Sequence, residues 1–94
     1  MELLGLPLLQ DFKRKHANAR QALDAWQIEV VYSHWQTSHD IKQRYPSADF
    51  LADNRVIFNI KGNHYRLVVK VRYQRGLVVI EWVGTHAEYD KQSF

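Results

Sequence analysis

The sequence contains no cysteine. That excludes a disulfide framework, a thiolate metal site and a cysteine nucleophile, and it suits a reducing cytoplasm. No apolar run approaches the roughly 20 residues a membrane span requires. The start, MELLGLPLLQ, is apolar but short, with neither a basic leader nor a small-residue cleavage site. It does not read as a signal peptide, so the expected location is the cytoplasm, with no membrane partner. No repeat, low-complexity tract or linker divides the chain, and 94 residues suit one domain over 1–94 with a modest core. No His/Asp/Glu cluster has metal-ligand spacing. A dinucleotide-binding GxGxxG, a P-loop and a GxSxG elbow are all missing. Neither a metal nor another cofactor is expected.

Negative charge is missing from one long segment. No acidic residue lies between Asp53 and Glu81, whereas Arg55, Lys61, Arg66, Lys70, Arg72 and Arg75 all fall there. The formal net charge is only +3, so its distribution carries the signal. A basic stretch favours polyanions such as nucleic acid. Solvated strand faces and turns would account for it equally well.

The hydrophobic pattern changes period along the chain. Residues 2–5 can form a short edge strand. Pro7 suits the first turn of a helix, in which Leu8, Leu9 and Phe12 recur at helical spacing and Lys13, Arg14 and Lys15 favour its C-terminal end. A second helix is expected from Asn18, with Gln21 placed to complete its cap and Ala22, Leu23, Trp26 and Val30 as its apolar stripe. Ser38 can cap a third, ending at Tyr45 before Pro46. From Arg55 the period becomes strand-like: residues 55–60, a Gly62-Asn63 turn, residues 64–72, a turn ending at Gly76, and residues 77–83. The expected fold is α+β: N-terminal helices packed on an antiparallel meander, with a short C-terminal helical turn.

Strand parity assigns faces to the second of these strands. His64, Arg66, Val68, Lys70 and Arg72 share one face, while Tyr65, Leu67, Val69 and Val71 share the other, which should lie on the helices. Arg66, Lys70 and Arg72 thus form a cationic row able to bind a phosphate backbone, or simply a solvated sheet face.

After the last strand, Thr85 can cap a final helical turn that places His86, Tyr89 and Asp90 on one face. Histidine is an acid–base group near neutral pH, tyrosine can pass a proton or stack on a base, and Asp90 can orient the imidazole. RNA cleavage by its own 2′-hydroxyl needs a base, an acid and cations for the phosphate, and no metal. His86, Tyr89 and Asp90, with Arg66 and Lys61 or Lys70, supply those parts if the tail folds over the open sheet face. An exposed tail anchored by Tyr89 is the plain alternative. Trp26, Trp35 and Trp82 read as core or packing residues rather than base-stacking platforms, His64 beside the turn as a surface histidine rather than a ligand, and His16, His34 and His39 as scattered.

Three stretches resemble the HigB toxin family: YPSADF (45–50), RVIFNIKGNHYRLVVKV (55–71) and GTHAEYD (84–90). The likeness extends through the N-terminal helices, although MELLGLPLL is more apolar than the family's usual start. It implies a RelE-like fold, two N-terminal helices on an antiparallel sheet with RNA across the opposite face. It also implies metal-free cleavage of mRNA in the ribosomal A site. As partners it implies a HigA-type helix-turn-helix antitoxin, with operator DNA bound only through the toxin–antitoxin complex. His86, Tyr89 and Asp90 match the motif where related toxins place catalytic groups, and Arg66 matches the arginine that contacts the scissile phosphate. Asn59, Lys61 and Asn63 match the family's hairpin, and Lys70 and Arg72 extend the RNA-binding row. The competing readings are a non-catalytic nucleic-acid-binding module and a degenerate toxin that retains only antitoxin binding.

Overall fold

The apolar start is divided between two elements. In the computed structural model, which describes all 94 residues, Glu2–Leu4 form strand β1 and Leu6–Lys15 form helix α1, with Pro7 in its first turn. Gly5 joins them at φ 88°, where a Cβ would stand 2.7 Å from the Ile80 carbonyl oxygen. Only glycine lets the chain turn that close to the sheet.

Helix α2 covers Arg20–Tyr32 and buries Leu23, Trp26 and Val30, as the stripe implied. Its expected cap is not formed. Ala17–Ala19 make a 3-10 turn, and the Asn18 side chain instead accepts a hydrogen bond from the Tyr65 hydroxyl. Tyr65 is buried and its hydroxyl must find a partner, so a tertiary bond displaces the local one. Helix α3, Ser38–Arg44, starts one residue beyond its cap, Thr37 rather than Ser38. The Asp40 carboxylate accepts from the N–H groups of Gln36 (2.9 Å) and Thr37 (3.2 Å).

The segment after α3 is bound to what surrounds it. The Tyr45 hydroxyl donates to Glu29 on α2, to which Arg44 also binds. Burial, then the bond to Glu29, drive the Tyr45 phenol well above its ordinary pKa. Lys42 donates to the Ala48 carbonyl at 2.7 Å. These ties deliver Asp49–Leu51 as strand β2, an element its sequence did not announce.

Strands β3 (Arg55–Ile60), β4 (Tyr65–Arg72) and β5 (Leu77–Thr85) form the expected meander. With β1 and β2 they make one five-stranded sheet in the order β1-β5-β4-β3-β2. It is mixed rather than purely antiparallel, because β1 pairs parallel to β5. That correction has a physical cause: Leu3 and Leu6 pack against the core, so the apolar start is held where it can cover the β5 edge. The core lies between the helices and one sheet face. Leu9, Leu23, Trp26 and Val30 meet Phe58, Leu67, Val69, Val71 and Val78 there, and Phe58 takes Trp26, Trp35 and Tyr45 around its ring at centroid distances of 5.4, 6.0 and 5.0 Å.

One irregularity changes which residues face outward. Val69 pairs with Ile80 but Val68 with Trp82, so Glu81 is an extra residue in β5. Strict alternation would have put Trp82 on the core face with Ile80. The bulge turns it to the opposite face and sends Val83 inward, where it packs on the core.

Candidate active site

The outer face of the sheet, at the hairpin end, is where the charged and aromatic residues gather. Arg66 stands there on β4, between Asn59 of β3 and Gly84 of β5 in the pairing register. Just past the end of β5, His86–Tyr89 form a single helical turn, α4, that lies against β4 and β5. Its first residue is tied to the hairpin by a hydrogen bond from the His86 N–H to the His64 carbonyl, 3.2 Å.

This turn forms because both halves of a capping box are present. The Glu88 N–H donates to Thr85 Oγ1 at 3.1 Å, and the Thr85 N–H donates to Glu88 Oε1 at 2.8 Å. The second bond holds the Glu88 carboxyl below the ordinary glutamate pKa. A lowered folded-state pKa means the cap is intact at neutral pH and is lost as the pH falls through that lowered value. Thr85→Ala is expected to cost about 1 kcal/mol of the turn's stability. Amide hydrogen exchange at Glu88 and Asp90 should then speed up roughly fivefold, with a smaller loss of activity than direct removal of Arg66 or His86.

The capped turn brings two side chains to Arg66. Arg66 Nε donates to His86 Nε2 at 2.9 Å. Since the guanidinium can only donate, the imidazole accepts at Nε2 and carries its proton on Nδ1. The guanidinium carbon also lies 4.6 Å from the centroid of the Tyr89 ring, a cation–π distance. Opposite, Asp49 Oδ2 stands 3.8 Å from Arg66 Nη2. Arg66 is thus held by an imidazole, a ring face and a carboxylate at once, with 18% of its side chain open to solvent.

The other residues singled out from the sequence are placed differently. Asp90 follows α4 and is exposed; its carboxylate makes no hydrogen bond or ion pair, and the group bonded to the imidazole is Arg66. Lys61 and Asn63 are exposed on the hairpin tip, at the same end of the sheet. Asn59 is turned to a local task, donating to the Ser47 carbonyl at 3.1 Å, while its buried Oδ1 has no partner. Lys70 and Arg72 lie farther along β4, about 13 and 20 Å from Arg66 at the rise of a strand. The cationic row is also interrupted, because Val68 and Ile57 are buried on that same face, and Arg55 beside Lys70 is paired with Glu81 at 2.9 Å.

Two residues at the site escaped the sequence reading. Asp49 sits on the short β2, whose three residues carry no alternation to speak of. Trp82 does pack, on Gly84, Tyr89 and Phe94, but the bulge sets it on the outer face beside the site and not in the core.

A profile of the HigB toxin family, described as the RelE-like toxic component of a toxin-antitoxin system, matches residues 19–92. The chain belongs to that family. The match takes in β2 to β5 and α4, and with them Asp49, Arg66, His86 and Tyr89. Over 92 residues the chain is 28% identical to the mRNA interferase toxin HigB of Escherichia coli K12, covering 96% of this chain and 88% of that protein. The same identity and coverage relate it to the mRNA interferase HigB of Shigella flexneri. Membership makes the chain the toxic half of a toxin–antitoxin pair, with an antitoxin as its partner. No helix is long and apolar enough to cross a membrane.

Proposed function

We propose that the chain is a ribosome-dependent mRNA endoribonuclease that cleaves the message in the A site by attack of the RNA's own 2′-hydroxyl, with no metal and no other cofactor. The observation that carries this reading is the bond from Arg66 Nε to His86 Nε2. Without substrate, the imidazole lone pair is occupied by the guanidinium. A phosphate in the cleft competes for those N–H groups, because charge-assisted bonds to an anion are stronger than one to a neutral acceptor. Arg66 then turns to the phosphate, and His86 Nε2 is released beside the ribose.

The freed Nε2 takes the proton of the 2′-hydroxyl. The oxygen attacks phosphorus, the bond to the 5′ oxygen breaks, and the products are a 2′,3′-cyclic phosphate and a 5′-hydroxyl. Arg66 stabilises the charge that builds on the phosphate in the transition state. Tyr89, whose ring meets the Arg66 guanidinium, then protonates the departing 5′ oxygen. Asp90, exposed at the end of α4, is assigned to the solvent edge of the site and not to the imidazole. Lys61 and Asn63 on the hairpin, and Lys70 and Arg72 farther along the sheet, hold neighbouring phosphates.

The antitoxin is assigned to the HigA type, with a helix-turn-helix domain through which the complex binds its operator DNA. An acidic segment covering Arg66 and the hairpin is the simplest route to inhibition, since a cationic cleft attracts one. Primer extension on mRNA translated in a purified system tests the catalytic reading. Cuts at codon positions that require translating ribosomes are expected. Cuts without ribosomes would mean a free ribonuclease. No cuts from folded, antitoxin-free protein would leave the binding module or the degenerate toxin.

A further inference from the structure

We infer that Trp82 is the floor of a nucleobase-stacking subsite that grips the nucleotide next to the cleaved phosphate. The inference rests on the proposed ribonuclease reading and adds a ligand to it: one base, held by its ring face.

Four observations converge on Trp82. The extra residue at Glu81 rotates it out of the core and onto the face that carries Arg66. The adjacent position on that face is Gly84, where a Cβ would meet Trp82 ring carbons at 2.5 and 2.6 Å. The indole therefore lies along the bare backbone of Gly84, the register partner of Arg66. Its ring is 5.9 Å from Tyr89 and 5.8 Å from Phe94. Tyr89 in turn stacks on Phe94 with planes 16° apart and carries the Arg66 guanidinium at 4.6 Å.

A phosphate anchor and a wall of aromatic rings thus share one residue, Tyr89, which puts them within the reach of a single nucleotide. Stacking on such a wall tolerates any base, because every base has a π-face. Trp82 is suited to it in a way that Trp26 and Trp35 are not, since both of those are buried in the core. The bland role for Trp82 is to anchor α4 through Tyr89. That role predicts a loss that is blind to whether the RNA carries a base.

Preformed ribosome complexes separate the two roles. Cleavage is measured on mRNA with all its bases and on mRNA made abasic at either nucleotide flanking the cleaved phosphate. At one of the two positions, base removal should slow the wild type about tenfold. Trp82→Leu keeps apolar packing against Tyr89 but offers no ring; it should be about tenfold slower on intact mRNA, with no further loss when that base is removed. Trp82→Phe should fall between the two on intact mRNA and equal the wild type on the abasic one. It provides the same test if Trp82→Leu does not fold. Losses that multiply at both positions, or an active Trp82→Leu with unchanged rate, would overturn the subsite. No cleavage by the wild type would instead remove the ribonuclease reading on which it stands.

Discussion

Arg66→Ala is expected to lower mRNA cleavage by about three orders of magnitude while leaving the fold in place. Removing one preorganised donor from a site of developing negative charge costs roughly 10²–10³-fold. The loss falls at the upper end because the guanidinium offers the phosphate several donors in a fixed fork, even though its removal leaves His86 Nε2 unblocked. The structural loss is small by comparison. Arg66 contributes a part-buried hydrogen bond to His86, a cation–π contact with Tyr89 and a loose pairing with the exposed Asp49, each worth about 1 kcal/mol. Circular dichroism should therefore still show a folded protein, with a melting temperature lowered by about 4–8 °C per kcal/mol lost, while primer extension shows almost no product. Arg66→Lys is the sharper variant. It keeps the charge but loses the planar fork, so it can neither lie flat on Tyr89 nor offer a phosphate two parallel donors. A rate still about 100-fold down is expected. If folded Arg66→Lys cleaved at the wild-type rate, charge alone would suffice and the donor geometry assigned to Arg66 would be wrong.

His86→Ala should cost about 10²–10⁴-fold in the cleavage rate, the usual contribution of a positioned acid–base group. Its signature differs from that of Arg66. The imidazole takes the proton and does not hold the phosphate, so the loss should fall on kcat, with KM for programmed ribosomes nearly unchanged. Arg66→Ala should move both. The pH profile gives a second handle. A base must be unprotonated to act, so the wild-type rate should rise with pH, and this rise should be missing from His86→Ala. A His86→Ala enzyme that kept the rise would shift the base to Tyr89 or Asp90. One that lost affinity as well as rate would make His86 part of the phosphate site.

How much of this was legible in the sequence depended on how local each cause was. The β3–β4 hairpin could be read because Val56, Phe58 and Ile60 alternate with the residues between them and Gly62-Asn63 marks a turn, although the residues that take positive φ there are Lys61 and Gly62, not Asn63. The stripe of α2 and the cap of α4 follow likewise from spacings of three and four residues. The inward face of β4 was given correctly by parity alone, with Tyr65, Leu67, Val69 and Val71 all buried. The parallel placement of β1 was not legible, because three residues carry no sign of a partner more than 70 positions away. Asn18 has every property of a cap, and only the approach of Tyr65, 47 residues distant, takes its side chain elsewhere.

The site divides along the same line. The residue types that could do the chemistry, and the turn that presents His86 and Tyr89, belong to the sequence itself, because capping and helical spacing act within a few residues. Which of them meet was a matter for the folded chain. Arg66 and His86 are 20 positions apart, and only the pairing of β4 with β5 sets them side by side. The same pairing excludes Lys70 and Arg72 from that cluster by simple distance along a strand. Trp82 shows the limit most plainly. Alternation assigns it to the core, and a single unpaired residue, Glu81, reverses its face. A bulge is a compromise between two strands and the layers that cover them, so the outward turn of Trp82 was decided only by the tertiary structure.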